Sequence, residues 1–249
     1  MRPLVLIHGF TGSPASFDLV LEDLDEAGAV LRPTLLGHDG TSGSDAVQSF
    51  RDEVDRLATQ IAAWAPEPDY VVGYSLGARV TLGLLVHHPG LLAAAALIGV
   101  NPGLDDVEER AARIAADDRW RSILDRGDLA GFIDAWSSQE LFATQKELPS
   151  EVLGRQRAER LSHSAAGLSR SLRIMGLAAM PSYRSALRRI ERPVDLVVGG
   201  NDEKFMAIAG GVLADLPAGH LHVVQGAGHN LLIESPDEVA RIIRKGIET

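Results

Sequence analysis

The sequence predicts an α/β protein, with a mainly parallel sheet of about six strands, helices on both faces and a helical insertion between two of the strands. Three observations carry this prediction. Short apolar runs of strand length alternate with stretches of helical period. Residues 101–182 break that alternation with charged, helix-prone sequence in which Arg is mixed with Asp and Glu. The 249 residues suit one α/β domain carrying an insertion.

Leu4–Ile7 is a four-residue apolar run ended by His8-Gly9, and reads as a buried strand. Ser13-Pro14 then opens a helix, with Ser as cap and Pro in the first turn. Residues 29–31 form a second short strand closed by Pro33, followed at 36–44 by a loop rich in Gly, Asp and Ser. Val47, Phe50, Val54, Leu57 and Ile61 recur on one face of an amphipathic helix. Residues 70–72 form a strand, and 76–86 a helix apolar nearly all round. The apolar run 91–100 holds a strand in its second half, before Asn101-Pro102. Strands at 194–198 and 221–224 and a helix at 236–247 complete the chain. Residues 1–100 and 183–249 are thus expected to form the sheet core, and 101–182 a helical cap over it.

Composition excludes several function classes. Apolar residues make up 45% and charged residues 23%, ordinary globular proportions that exclude a disordered or fibrous chain. A net charge of −10 argues against nucleic acid as a partner. The absence of cysteine excludes disulfides, thiolate metal sites and a Cys nucleophile. The apolar run at the N-terminus is too short for a signal peptide, and no stretch approaches the roughly 20 apolar residues of a membrane span. A cytoplasmic protein without a membrane partner is expected.

Gly73-Tyr74-Ser75-Leu76-Gly77 fits G-x-S-x-G between a predicted strand and a predicted helix. A serine on so sharp a turn projects its hydroxyl above the sheet edge, at the positive end of the helix, and the glycines let backbone and helix pass close by. An ordinary Gly-rich turn capped by Ser would show the same five residues, so the partners matter. In the α/β-hydrolase fold they follow as acid and then His, each after a late strand. The strand at 194–198 ends in Gly199-Gly200-Asn201-Asp202, and that at 221–224 in Gln225-Gly226-Ala227-Gly228-His229. Ser75, Asp202 and His229 therefore form the candidate triad. A serine hydroxyl needs a base beside it at neutral pH; imidazole supplies one, and the carboxylate orients the imidazole. The backbone N–H groups of Leu76 and Phe10 are the candidate oxyanion donors, with Gly9 turning the backbone towards substrate.

Other signals are weaker. His220 and His222 share a strand face without a third ligand, so no metal is expected, and His87-His88 before Pro89 ends a helix. Gly226-Ala227-Gly228 lacks the dinucleotide fingerprint, and there is neither H-E-x-x-H nor a P-loop. No cofactor is expected.

Over most of its length the chain resembles the menaquinone-pathway 2-succinyl-6-hydroxy-2,4-cyclohexadiene-1-carboxylate synthase family. The likeness runs through His8-Gly9-Phe10-Thr11-Gly12-Ser13, then Gly73 to Val80 with an Arg four residues after the Ser, and Asn101-Pro102-Gly103-Leu104. It continues through Glu109-Arg110-Ala111-Ala112-Arg113, Asp118-Arg119-Trp120, Trp136, Leu141-Phe142-Ala143, Asn201 to Phe205 and Gly226 to Asn230. The chain departs from the family at Ala78 (often a second Gly), Asn101 (His in some members) and Ser162-His163 (where Asn is usual). The resemblance implies an α/β-hydrolase fold without the N-terminal edge strands of larger members. It also implies a lyase that loses pyruvate from a small anionic carboxylate substrate, with activated Ser75 removing a proton from carbon. Arg79, Arg113 and Arg160 match the family's carboxylate-binding positions, and Trp136 and Tyr74 would line the pocket. Read as plain helix charge, these arginines would be solvated; Arg79 stands on an otherwise apolar helix, where a buried charge requires a partner. Two other readings remain open: a carboxylesterase or C–C hydrolase acting through an acyl-enzyme, and a non-enzymatic ligand receptor. Monomer and homo-oligomer are equally compatible with the sequence.

Overall fold

In a computed structural model, the structure describes residues 3–24, 28–38, 46–65 and 69–248. Its centre is a six-stranded sheet of order β2-β1-β3-β4-β5-β6. Every neighbouring pair is parallel.

β1 (Leu4–Ile7) is fully buried because helices cover both faces of the sheet. A 3₁₀ turn over Pro14–Phe17, capped by Ser13, leads into α1 (Asp18–Glu22). β2 (Val30–Leu31) is shorter than the 29–31 expected: Ala29 only lends its carbonyl to the Leu4 N–H. The predicted loop at 36–44 is described as far as His38, and the rest lies outside the described residues.

α2 (Phe50–Trp64) buries Val54, Leu57 and Ile61 as the periodicity requires. Val47 is buried too, but ahead of the helix, because Ser49 and Asp52 form a capping box that starts it at Phe50. β3 (Asp69–Tyr74) runs further than 70–72, since Gly73 and Tyr74 still pair with Ile7 and Ile98. α3 (Leu76–His87) is buried on nearly every side. β4 (Leu92–Ile98) corrects the expectation of a strand in the second half of 91–100. It pairs with β3 from Leu92 onward, and Gly99, at φ +61°, ends it.

Between β4 and β5 stand α4 (Val107–Leu124), α5 (Leu129–Ser137), α6 (Ser150–Leu161) and α7 (Ala165–Met175), with a 3₁₀ stretch at Glu140–Glu147. They share an apolar cluster of their own, including Leu124, Phe132, Ile133, Leu168 and Leu172. β5 (Val194–Gly199), α8 (Glu203–Leu213), β6 (Gly219–Val224), α9 (Leu231–Glu234) and α10 (Pro236–Glu248) follow. β6 begins two residues before the expected start, at Gly219, which pairs with Val194.

Strand alternation sends side chains to two cores. Val5, Ile7, Val71 and Leu97 meet α2, α3 and α8; Leu4, Leu6, Tyr70 and Ala96 meet α1, α9 and α10. In the second core, Tyr70 hydroxyl donates to Asp195 Oδ2 at 2.9 Å, and His222 Nε2 lies 2.7 Å from Asp195 Oδ1. Ala94 and Ala96 on the intervening strand leave room for that reach. His222 is therefore a hydrogen-bond partner of Asp195, and among the described residues no group of three His, Cys, Asp or Glu could hold a metal. His87 ends α3, and His88 pairs with Asp55 at 2.6 Å. Among the described residues no helix is long and apolar enough to cross a membrane.

Candidate active site

Ser75 sits between β3 and α3 with φ 52° and ψ −104°, a conformation that L-residues rarely adopt. Its N–H donates to Ile98 carbonyl at 2.8 Å, and its own carbonyl accepts from Arg79 N–H at 3.1 Å. Glycine is needed on both sides. A Cβ on Gly77 would run into the Ile7 carbonyl, and one on Gly73 into the Gly77 backbone.

The other two members arrive from the ends of β5 and β6. Asp202 caps α8, taking the Phe205 N–H on Oδ1 at 3.2 Å, and presents Oδ2 to His229 Nδ1 at 2.8 Å. His229 Nε2 lies 3.2 Å from Ser75 Oγ. An acceptor at Nδ1 keeps that nitrogen protonated and leaves the Nε2 lone pair facing the serine. Both Asp202 and His229 are buried.

Three further residues shape the imidazole; the sequence touched only Phe205, through the family likeness, and gave it no role there. Phe205 lies against the His229 ring at 4.3 Å between centroids. Gly99 keeps space beside it: a Cβ there would come within 2.8 Å of His229 Cε1. Glu234 holds the loop, accepting from Gly228 N–H at 2.6 Å and Asn230 N–H at 3.1 Å.

Leu76 opens α3, so its N–H has no intrahelical acceptor. Among the described residues, neither that N–H nor the Phe10 N–H meets a hydrogen-bond acceptor. Two free amides beside a serine hydroxyl suit a developing oxyanion.

Two cavities meet at Ser75. The larger, about 920 Å³, is lined by Leu76, Arg79, Arg113, Trp136, Phe205 and His229, with Asp117 among them. The smaller, about 260 Å³, is lined by Gly9, Tyr74, Phe142, Glu159 and Arg160. Phe10, Ser75, Trp136 and Leu141 border both. The five residues expected to line one pocket are thus divided: Arg79 and Arg113 on one side, Tyr74 and Arg160 on the other, Trp136 between. Trp136 stacks on Phe132 and leaves its buried Nε1–H without a partner among the described residues.

The arginines are buried or half-buried rather than solvated. Arg79 donates to the Met175 carbonyl at 2.8 Å. Burial first, and the neighbouring Arg113 second, bring its guanidinium down to about 9, against a smaller opposing pull from Asp117. Arg113 Nε pairs with Asp117 Oδ1 at 2.9 Å, and burial pushes the Asp117 carboxyl up despite that partner. Arg160 donates to Ser137 Oγ at 2.6 Å and lies over the Phe142 ring at 5.3 Å; burial lowers it too. Burial also raises the Tyr74 phenol.

The arrangement joins a base-activated hydroxyl, two free amides and cationic groups around one cavity system. It is equipped to remove a proton from, or attack, an anionic substrate.

The profile of the alpha/beta hydrolase family matches residues 4–242. A 2-succinyl-6-hydroxy-2,4-cyclohexadiene-1-carboxylate synthase from Enterobacter sp. (strain 638) is 33% identical over 237 residues, covering 95% of this chain and 88% of that one. The solved structure of MenH from S. aureus superposes with a TM-score of 0.94 at 26% identity, covering 99% of this chain and 93% of that one. A thermophilic esterase from Thermogutta terrifontis shares the fold, with a TM-score of 0.82 at 21% identity, covering 100% and 90%.

Proposed function

The chain belongs to the alpha/beta hydrolase family and, within it, to the 2-succinyl-6-hydroxy-2,4-cyclohexadiene-1-carboxylate synthase family; from that premise we propose that it eliminates pyruvate from the 5-enolpyruvoyl precursor of that compound in menaquinone biosynthesis. It is an enzyme of the alpha/beta-hydrolase superfamily. The observation that carries the specific reading is the pair Arg79 and Arg113, lining a cavity that opens on Ser75. A neutral ester would give those charges nothing to bind; a substrate with several carboxylates does.

His229 takes the Ser75 proton, and the serine oxygen removes a carbon-bound proton beside the succinyl ketone. The electron pair passes to the ketone oxygen, held by the Phe10 and Leu76 N–H groups. It then returns through the ring to form the 2,4-diene and break the bond from ring position 5 to the enolpyruvoyl oxygen. Pyruvate leaves as its enolate and is protonated. Asp202 stabilises the imidazolium formed on the way. Arg79 and Arg113 hold carboxylate in the larger chamber, Arg160 and Tyr74 border the smaller one, and Trp136 offers its Nε1–H between them. Residues 101–182 act as the cap that carries three of these groups. The substrate is a small anion, and we assign the enzyme to the cytoplasm.

The test is release of pyruvate from the enolpyruvoyl precursor, with Ser75→Ala as control. Pyruvate formation that vanishes in the variant supports the reading. No pyruvate, together with efficient turnover of simple esters, overturns it in favour of an acyl-enzyme hydrolase.

A further inference from the structure

The loop after β1 is gripped by the helical insertion. Glu159, next to Arg160 in the last turn of α6, places one carboxylate oxygen on three donors of that loop. These are Ser13 N–H at 2.8 Å, Ser13 hydroxyl at 2.6 Å and Ser16 hydroxyl at 2.7 Å. Four residues on, His163 Nε2 lies 3.1 Å from the Thr11 carbonyl oxygen. Thr11 has a φ of 65°, and its N–H donates to His38 Nε2 at 3.1 Å.

A carboxylate near a helix end is ordinarily solvated. Here three donors converge on a single oxygen from residues far away in sequence, and the carboxylate acceptor makes the bonds charge-assisted. What they fix is a segment with an unfavourable backbone. Thr11 lies in the left-handed region, which is unfavourable for a residue with a Cβ, and such a residue persists only when its surroundings over-determine it. Released, the loop would relax and turn the Phe10 N–H with it. That N–H stabilises an oxyanion only when already aimed at the oxygen's final position.

We propose that Glu159, backed by His163, is a positioning residue that clamps the loop 9–16 and so holds the Phe10 N–H in the oxyanion hole. The inference rests on the proposed role of Phe10.

The test compares Glu159→Ala, Glu159→Gln and Ser16→Ala, alone and combined, by pyruvate-release kinetics and by phenylboronic acid inhibition of ester turnover. The boronate adds to Ser75 and fills the hole without needing any elimination. In Glu159→Ala, kcat should fall roughly tenfold or more, with KM little changed, as expected for a misplaced group. Boronate affinity should fall by the same factor. Glu159→Gln, which keeps an acceptor oxygen, should recover part of both. Ser16→Ala should cost less, and nothing further once Glu159 is gone. A purely structural role would lower Tm while leaving kcat and boronate affinity of the folded protein unchanged, and that result overturns the clamp. Additive losses in the double variant overturn it as well. If Glu159→Ala does not fold, Glu159→Gln and Ser16→Ala decide by the same readouts. Wild-type protein that forms no pyruvate, but whose boronate affinity still depends on Glu159, retains the clamp and discards the elimination. Wild-type protein that forms pyruvate with boronate affinity indifferent to Glu159 does the reverse. Wild-type protein that does neither overturns both.

Discussion

Arg79 donates to the backbone carbonyl of Met175, at 2.8 Å. Among the described residues no carboxylate lies within ion-pair distance of it. Asp117, the nearest acid by its influence, is bonded to Arg113 instead. A buried cation with donors to spare is set up for a carboxylate that arrives with the substrate.

Arg79→Ala should therefore lower kcat/KM for the anionic substrate by roughly 10- to 100-fold, the usual worth of a charge-assisted hydrogen bond. Turnover of a neutral ester should be spared. Steady-state kinetics on both substrates check this, and equal loss on both would assign Arg79 a structural role.

Asp202→Asn should separate orientation from folding. Asparagine caps helices as well as aspartate does, so α8 should survive and Tm should change little. The amide would no longer hold His229 in the productive tautomer, and kcat should fall by about 10³ to 10⁴. A loss under tenfold, measured with Tm unchanged, would mean that Asp202 is not the orienting acid.

How much of this was legible in the sequence differed by element. β1, β3 and β5 could be read because strands buried on both faces are continuous apolar runs. β6 could be read only in part, since His222 interrupts its pattern to meet Asp195 on β5 and the exposed His220 breaks it again. Ala94, Ala95 and Ala96 carry little strand preference of their own, and β4 takes its register from its neighbours. Ser75, Asp202 and His229 were legible because each closes a strand inside a short local motif. Phe205, Gly99 and Glu234 act on His229 through packing and loop bonds, which no local spacing announces. The division into two cavities depends on how α5 sets Trp136 against Phe10, a purely tertiary outcome.

His8, His38 and His163 predict acid sensitivity. His8 and His38 donate from Nδ1 to the carbonyls of Gly9 and Leu36 and accept at Nε2 from the N–H groups of Leu35 and Thr11, so both are held neutral. Burial brings His8 down to about 4 and lowers the other two as well. The unfolded chain takes up protons at higher pH than the native one does. Stability is therefore fully present above the unfolded value of 6.5 and is lost as pH falls towards about 4. His8 alone should account for about 2 kcal/mol between pH 7 and 5. Urea midpoints at the two pH values check this; midpoints that agree would show that these rings are not neutral in the native state.

Among the described residues, Thr11 and Ser75 are the only non-glycine positions with positive φ, and both border the same cavity. The backbone's least comfortable positions thus coincide with its working ones. Selection for heat resistance alone would be drawn towards glycine at 11 and 75, and would discard turnover on the way. Durable variants of this enzyme should be sought at the far end of the sheet and along α10, where nothing is wound tight for chemistry.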